Sequence, residues 1–331
     1  MNLFPLAKEL INIPSITGNE AAVAEFVSTH LKRHDFQVHE QTVEADRKNI
    51  LATAGGNPKV LLCTHLDTVP PFIPASEDDE HIYGRGACDA KGILAAMITA
   101  AVRLKEKQVR EFGLLFLVGE ETDSFGAKAA NALKVRSEYI IVGEPTENKL
   151  GAGHKGLIAF KLTTRGRAAH SAFPELGDSA IAKLLDVLHL IRNSDFGADP
   201  VLGTSQVNIG TINGGVAHNV IADHASATLS IRNTVASEQI ITKLKSLVNG
   251  KAEIEILTQS EPQKLHTVPG FAQVVLPFGT DIPHLKNFGR PLLIGPGSAT
   301  VAHTATERIE KRQLTEVVDM YVNLVQKLLA E

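Results

Sequence analysis

Apolar positions along the chain recur at two periods, and each change of period marks a boundary between elements. Residues 3–13 carry a helical pattern that Pro14 stops. Asn19 stands where it can cap a second helix through Glu20, Val23, Phe26, Val27 and Leu31. Short β-like runs follow at 36–43, 48–54 and 59–64, the last (KVLLCT) nearly all apolar. A strand covered on both faces reads this way. GILAAMITAAVRLK (92–105) predicts a long buried helix, and FGLLFLV (112–118) and YIIV (139–142) predict further buried strands. Alternating helices and apolar strands predict a layered α/β domain.

The pattern then changes. Residues 157–164 alternate as a half-buried strand, and 179–191 form an amphipathic helix. Residues 206–212 and 225–232 are strands around a turn at Gly214-Gly215, followed by a helix at 237–248 and a strand at 252–257. This β-α-β-β-α-β order predicts a separate α+β domain over 154–262. After Pro262 come loops, a buried run at 291–294, the turn Gly295-Pro296-Gly297 and a last helix from Gln313. That tail is too short to fold alone. It is expected to rejoin residues 1–153, so that 263–331 completes the first domain and the middle domain is an insertion.

Composition narrows the function. The chain has 331 residues with Lys+Arg 33 against Asp+Glu 37, a formal net charge of −4. That balance gives no global attraction to nucleic acid, and with no Trp and 5% aromatics a base-stacking surface is not expected. Two cysteines, Cys63 and Cys88, make no disulfide framework and suggest a reducing compartment. The N-terminus has no signal-peptide pattern and no run of ~18 apolar residues occurs, so a soluble cytoplasmic protein without membrane contact is expected.

Five segments carry candidate chemistry, each where a buried strand or tight turn ends. His65 in THLDTVP has Asp67 two residues on, a pairing that suits a metal ligand and the carboxylate that orients it, or a plain strand-end His. Asp89 lies among glycines in GRGACDAKG, as a cation ligand or as the cap of the next helix. Glu120 and Glu121 follow FGLLFLV and form either a solvated turn or a pair needing a cation to stay ionised. Glu144 follows YIIV, and His303 follows GPGSATVA. His65, Asp89, Glu121, Glu144 and His303 together offer two imidazoles and three carboxylates. Such a set suits two divalent ions sharing a carboxylate, zinc above others, with Glu120 left free for proton transfer.

With these motifs the chain resembles, over essentially its whole length, the dinuclear zinc deacylase and exopeptidase family. That family includes acetylornithine deacetylase, succinyl-diaminopimelate desuccinylase, aminoacylase and glutamate carboxypeptidase. The resemblance rests on HLDTVP, GRGACDAKG, GEE, VGEPT, RGRAAHSAFPELG and GPGSATVAHT. It implies a layered zinc-exopeptidase-type catalytic domain with a βαββαβ lid and dimerisation domain. His65 and Glu144 would hold one zinc, Glu121 and His303 the other, and Asp89 would bridge; cobalt could substitute. Asp67 would orient His65 and Glu120 would be the general base. His170 would stabilise the oxyanion from the partner subunit of a homodimer, and Asn219 and Arg232 would bind the substrate's carboxylate. Two positions depart from the family pattern: Gly119 stands for an acid and Ala222 for a proline. The reading expected from VGEPT is an N-acyl-amino-acid deacylase of the acetylornithine or succinyl-diaminopimelate type. The alternative is a dinuclear zinc exopeptidase acting on short peptides.

Overall fold

The computed structural model describes residues 2–331. In chain order the main helices are α1 (Leu3–Ile11), α2 (Ala21–Arg33), α3 (Lys91–Glu106), α4 (Phe125–Ala130), α5 (Ala180–Arg192), α6 (Ser237–Val248) and α7 (Lys311–Leu329). The strands of the two largest sheets are β1 (Gln37–Glu44), β2 (Arg47–Thr53), β3 (Val60–His65), β4 (Phe112–Leu117) and β5 (Tyr139–Val142). They continue with β6 (Leu157–Arg165), β7 (Gln206–Gly214), β8 (His224–Arg232), β9 (Glu253–Ser260) and β10 (Arg290–Leu293). The chain divides into two compact units. One holds residues up to Ala152, Leu265–Val274 and Thr280–Glu331; the other holds Gly153–Lys264 and Val275–Gly279. The second unit thus starts one residue before the expected insertion, ends two after it, and takes in a short return segment.

In the first unit the apolar runs build one six-stranded sheet in the order β1-β2-β4-β3-β5-β10. The inner members pair in parallel, β3 with β4 and β5, and β5 with β10, while β1 and β2 add an antiparallel edge. Every residue of β3, β4 and β5 is buried, which explains their unbroken apolar runs. Val60 and Leu62 face the core shared with α1, α2, α3 and α7. Leu61, Cys63 and His65 therefore point to the opposite face, by the two-residue period of a strand. Helix α3 is buried from Lys91 to Val102. Ile93, Leu94, Met97 and Ile98 are each fully buried, worth about 1.5–3 kcal/mol apiece.

One expected cap is absent. Glu20, not Asn19, stands at the start of α2, and its side chain makes no bond to the helix. The Asn19 N–H closes a turn onto Ile16 O at 2.8 Å instead. The Glu20 carboxylate is buried and committed to Arg47, which donates from Nε at 2.9 Å and from Nη2 at 2.8 Å.

The second unit contains an antiparallel sheet in the order β7-β8-β6-β9. Helices α5 and α6 cover one face, where Phe160, Leu162, Leu229 and Ile231 meet Leu184, Ile191, Ile240 and Leu244. Burial along β6 alternates strictly, as its sequence predicts. Ser179 caps α5 by accepting the Ala182 N–H at 3.2 Å. The order β6-α5-β7-β8-α6-β9 is the expected βαββαβ arrangement. Among the described residues no helix is long and apolar enough to cross a membrane.

Candidate metal centre

The parallel strands deliver their acids and imidazoles to one edge of the sheet. His65 ends β3, Glu120 and Glu121 follow β4, and Glu144 follows β5. β10 leads through Gly295-Pro296-Gly297 to His303. The carboxyl edge of parallel strands is where open α/β sheets bind ligands. Asp89 joins from the loop that opens α3. Gly86 makes that loop possible: its φ is +87°, and a Cβ there would lie 2.9 Å from Thr68 Cγ2. Gly119, the departure noted above, has φ +76° and would bring a Cβ 2.9 Å from Arg47 Nη2.

Asp89 is the hub. Its Oδ1 lies 3.0 Å from His65 Nε2, and its Oδ2 lies 3.3 Å from His303 Nε2. His303 Nε2 is also 3.1 Å from Glu121 Oε1 and 3.0 Å from Oε2. One carboxylate thus presents a different oxygen to each imidazole, the disposition a bridging ligand needs. Ligand atoms of His65, Asp89 and Glu121 all lie within 4.8 Å of one another. Glu144 is buried, and its charge acts on Glu120 and Asp89.

Electrostatics make the same point. Burial raises the Glu120 carboxyl well above the usual range, and the charges of Asp281, Asp89 and Glu121 add to that. Burial raises Glu144 likewise, reinforced by Glu120 and Asp89. Burial also raises Glu121, against the hydrogen bond from His303. Burial would lower His65, but its bonds to Asp67 and Asp89 outweigh this and raise it. Hydrogen bonds to Asp89 and Glu121 push His303 up to about 10. Divalent cations placed here would oppose the upward shifts of these carboxyls, and the donor set of two imidazoles and three carboxylates fits such ions.

Asp67 divides its work. The His65 ring Nδ1 sits 3.0 Å from the main-chain oxygen of Asp67, while the nearer carboxylate oxygen is at 3.5 Å. The carboxylate accepts the Glu120 N–H at 3.1 Å, the Glu121 N–H at 3.2 Å and the Thr17 hydroxyl at 2.7 Å. Asp67 thus faces His65 through both its main-chain oxygen, the nearer, and its carboxylate, and that carboxylate also grips the loop carrying both glutamates.

Residues 61–327 match the model of peptidase family M20/M25/M40. The chain belongs to this family. A peptidase M20 domain-containing protein of Schizosaccharomyces pombe is 41% identical over 98% of this chain and 84% of its own length. A probable carboxypeptidase of Aspergillus fumigatus is 38% identical, over 99% and 87%. Among solved structures, a tripeptidase from Staphylococcus aureus aligns with a TM-score of 0.82 at 22% identity, covering 99% and 98% of the two chains. The Bacillus subtilis protein described as a dinuclear metal binding peptidase from the M20 family aligns at 0.73 and 15%, covering 98% and 96%. The α/β architecture is that of M20 peptidases. The relatives' names favour the exopeptidase alternative over the deacylase reading, and give no support to a deacetylase in amino-acid biosynthesis.

The remaining expected site residues of this M20 chain lie in the second unit. His170 pairs with Val220 in a short antiparallel ladder, and the Ser171 N–H donates to Asn219 O at 3.0 Å, so His170 and Asn219 are neighbours. The Ala172 N–H donates to His170 Nδ1 at 3.1 Å. In the neutral ring the proton then sits on Nε2, making that atom a donor. Arg232 is half-buried at the far end of β8, about 26 Å from His224 at ~3.3 Å per residue. One residue escaped the sequence reading. Asp281 is buried, its Oδ1 has no hydrogen-bond partner among the described residues, and burial raises its pKa to about 6. It follows Gly279-Thr280 after the apolar run VVLPF, the same acid-after-strand pattern as GEE.

Proposed function

We propose that this protein is a dinuclear metal-dependent exopeptidase that releases one residue from a short peptide. The observation that carries the reading is Asp89, which offers one oxygen to His65 and the other to His303, beside the half-buried Glu120, whose carboxylate has no hydrogen bond to either histidine among the described residues. The names of the matched carboxypeptidase and tripeptidase support peptide cleavage over hydrolysis of N-acyl amino acids.

His65, Glu144, Asp89, Glu121 and His303 would hold the ions, with zinc suiting the donors best and cobalt able to substitute. Bound there, the ions supply a Lewis acid for the scissile carbonyl and a water of lowered pKa. Glu120 is free for proton transfer. It takes the proton of the attacking water and returns it to the amine nitrogen as the C–N bond breaks. His170 donates from Nε2 to the developing oxyanion. Asn219 and Arg232 bind the peptide's free carboxylate, Arg232 through its two-pronged guanidinium. In this reading the protein is a homodimer in which His170 serves the partner's site.

The test is a hydrolysis panel of di- and tripeptides beside N-acetyl and N-succinyl amino acids, with chelator-stripped protein reloaded with zinc or cobalt. Peptides should show the higher kcat/KM, and chelation should abolish turnover. Turnover of N-acyl amino acids alone would restore the deacylase reading. Full activity in protein free of metal by elemental analysis would end both.

A further inference from the structure

The loop that carries Asp89 is held from below by a buried ion pair. Glu307 is 1% exposed and Arg85 is 2% exposed. Glu307 Oε1 accepts three main-chain N–H groups, from Gly86 at 2.9 Å and from Cys88 and Asp89 at 3.1 Å each. Its Oε2 takes Arg85 Nη1 at 2.5 Å. The Gly84 N–H also donates to the Glu307 main-chain oxygen at 3.1 Å. Register explains the fit: the short strands His81–Tyr83 and Arg308–Glu310 pair antiparallel, with Arg308 opposite Tyr83. Glu307 is thereby set under the turn that follows. Arg85 Nε reaches on to Pro71 O at 3.3 Å, in the segment just past His65 and Asp67.

We propose that Glu307 is a positioning residue for the shared metal ligand Asp89, acting with Arg85 as its counter-charge. The inference rests on the dinuclear reading above. Glu307 lies four residues after His303, so one turn of chain supplies an imidazole ligand and the acceptor that fixes the bridging carboxylate opposite it. Three amides converging on one carboxylate oxygen hold the loop 86–89 in a single conformation, and charge-assisted bonds are the strong ones. A ligand shared by two ions transmits any displacement to both. Groups that orient a metal ligand commonly govern ~10–100-fold in metal affinity.

The experiment is a chelator-competition titration with zinc on full-length protein, below each variant's Tm, with folding checked by circular dichroism. The Co2+ visible spectrum and the Tm of the metal-free protein are read alongside. Glu307→Gln keeps the shape, removes the charge and turns an NH2 toward donors. It should weaken binding of both ions by ~10–100-fold and shift the Co2+ bands. Glu307→Asp keeps the charge and should restore part of the affinity. Arg85→Met/Glu307→Met removes the unpaired buried charge that threatens folding of the single variant; it too should bind both ions weakly. A folded variant that has a lowered Tm but binds both ions as the wild type does makes Glu307 merely structural and overturns the proposal. A wild type that takes up no pair of ions overturns the dinuclear reading itself, a separate outcome.

Discussion

Asp67→Asn separates two jobs that one carboxylate could do. In this structure the carboxylate accepts the Glu120 and Glu121 N–H groups and the Thr17 hydroxyl, while His65 Nδ1 leans on the Asp67 main-chain oxygen, which any residue supplies. Asparagine keeps one acceptor oxygen and puts an NH2 where the other was. One N–H then faces a donor, a buried unmet group costing about 1–3 kcal/mol. The bonds that remain lose their charge, about 1 kcal/mol between them. The sum is roughly 2–4 kcal/mol, a Tm drop of roughly 5–15 °C for a domain of this size. The loop bearing Glu120 loosens, so kcat should fall by about 10–100-fold, the scale of a small misplacement of a reacting group. Zinc affinity at the His65 end should change little. Differential scanning calorimetry of metal-free protein, kcat on a dipeptide and chelator competition test this together. If metal is lost while Tm hardly moves, the carboxylate's work is on the His65 ring, and the reasoning from these distances is wrong.

Glu120→Gln should lower kcat by ~10²–10⁴, about 2.7–5.5 kcal/mol of barrier, and retain both ions. Glu121→Gln should lose metal by elemental analysis, because its oxygens face His303; the reverse pattern exchanges their roles. Mixing inactive Glu120→Ala and His170→Ala chains under verified subunit exchange should restore about a quarter of the sites if His170 acts across a two-fold dimer. Activity fixed at background rejects the shared site. Burial lowers the Lys91 ammonium from 10.5 to about 7. Between those values the unfolded chain carries the extra proton, so stability rises with pH by up to ~1.4 kcal/mol per unit. Lys91→Met lacks that rise, so in metal-free melts the variant's Tm should fall relative to wild type between about pH 7 and about pH 9.5; a constant difference contradicts the low pKa.

The strand ends were legible because burial on both faces leaves a signature in sequence. KVLLCT and FGLLFLV admit few readings besides inner strands of a parallel sheet, and acids and histidines just past such strands converge on one edge. The βαββαβ unit was legible for a related reason: β6 alternates and α5 is amphipathic, so each writes its period openly. What sequence did not show depends on contacts between distant segments. Asn19 looks like a cap, yet Glu20 stands at the start of α2, a choice made by Arg47 from a strand 27 residues on. Asp67 reads as a partner for His65 because it is near in sequence; that its carboxylate serves residues 53 and 54 positions away follows only from the pairing of β3 with β4. Glu307 is one acid before a short exposed-edge strand, and nothing local marks it as the acceptor for a loop 218 residues back.

Asp67, Asp89, Glu120, Glu121, Glu144 and Asp281 gather about two imidazoles. Of these acids only Asp67 and Asp89 keep lowered pKa values once burial, hydrogen bonds and neighbouring charges are combined. The two that stay acidic are the ones most densely bonded by protein donors. The others are raised, Glu120 and Glu144 furthest, and positive charge placed among them would favour their ionised forms. A fold selected for stability alone would place apolar side chains at such strand ends. Keeping raised acids there has a physical rationale only if cations complete the site. Under that condition the rigid devices, Asp67 beneath the glutamate pair and Glu307 beneath Asp89, hold mutually repelling groups at ligand spacing before any ion enters. The local disagreement between burial and charge is therefore the strongest structural pointer to function in this chain, and the sequence rules break down where the chemistry is placed.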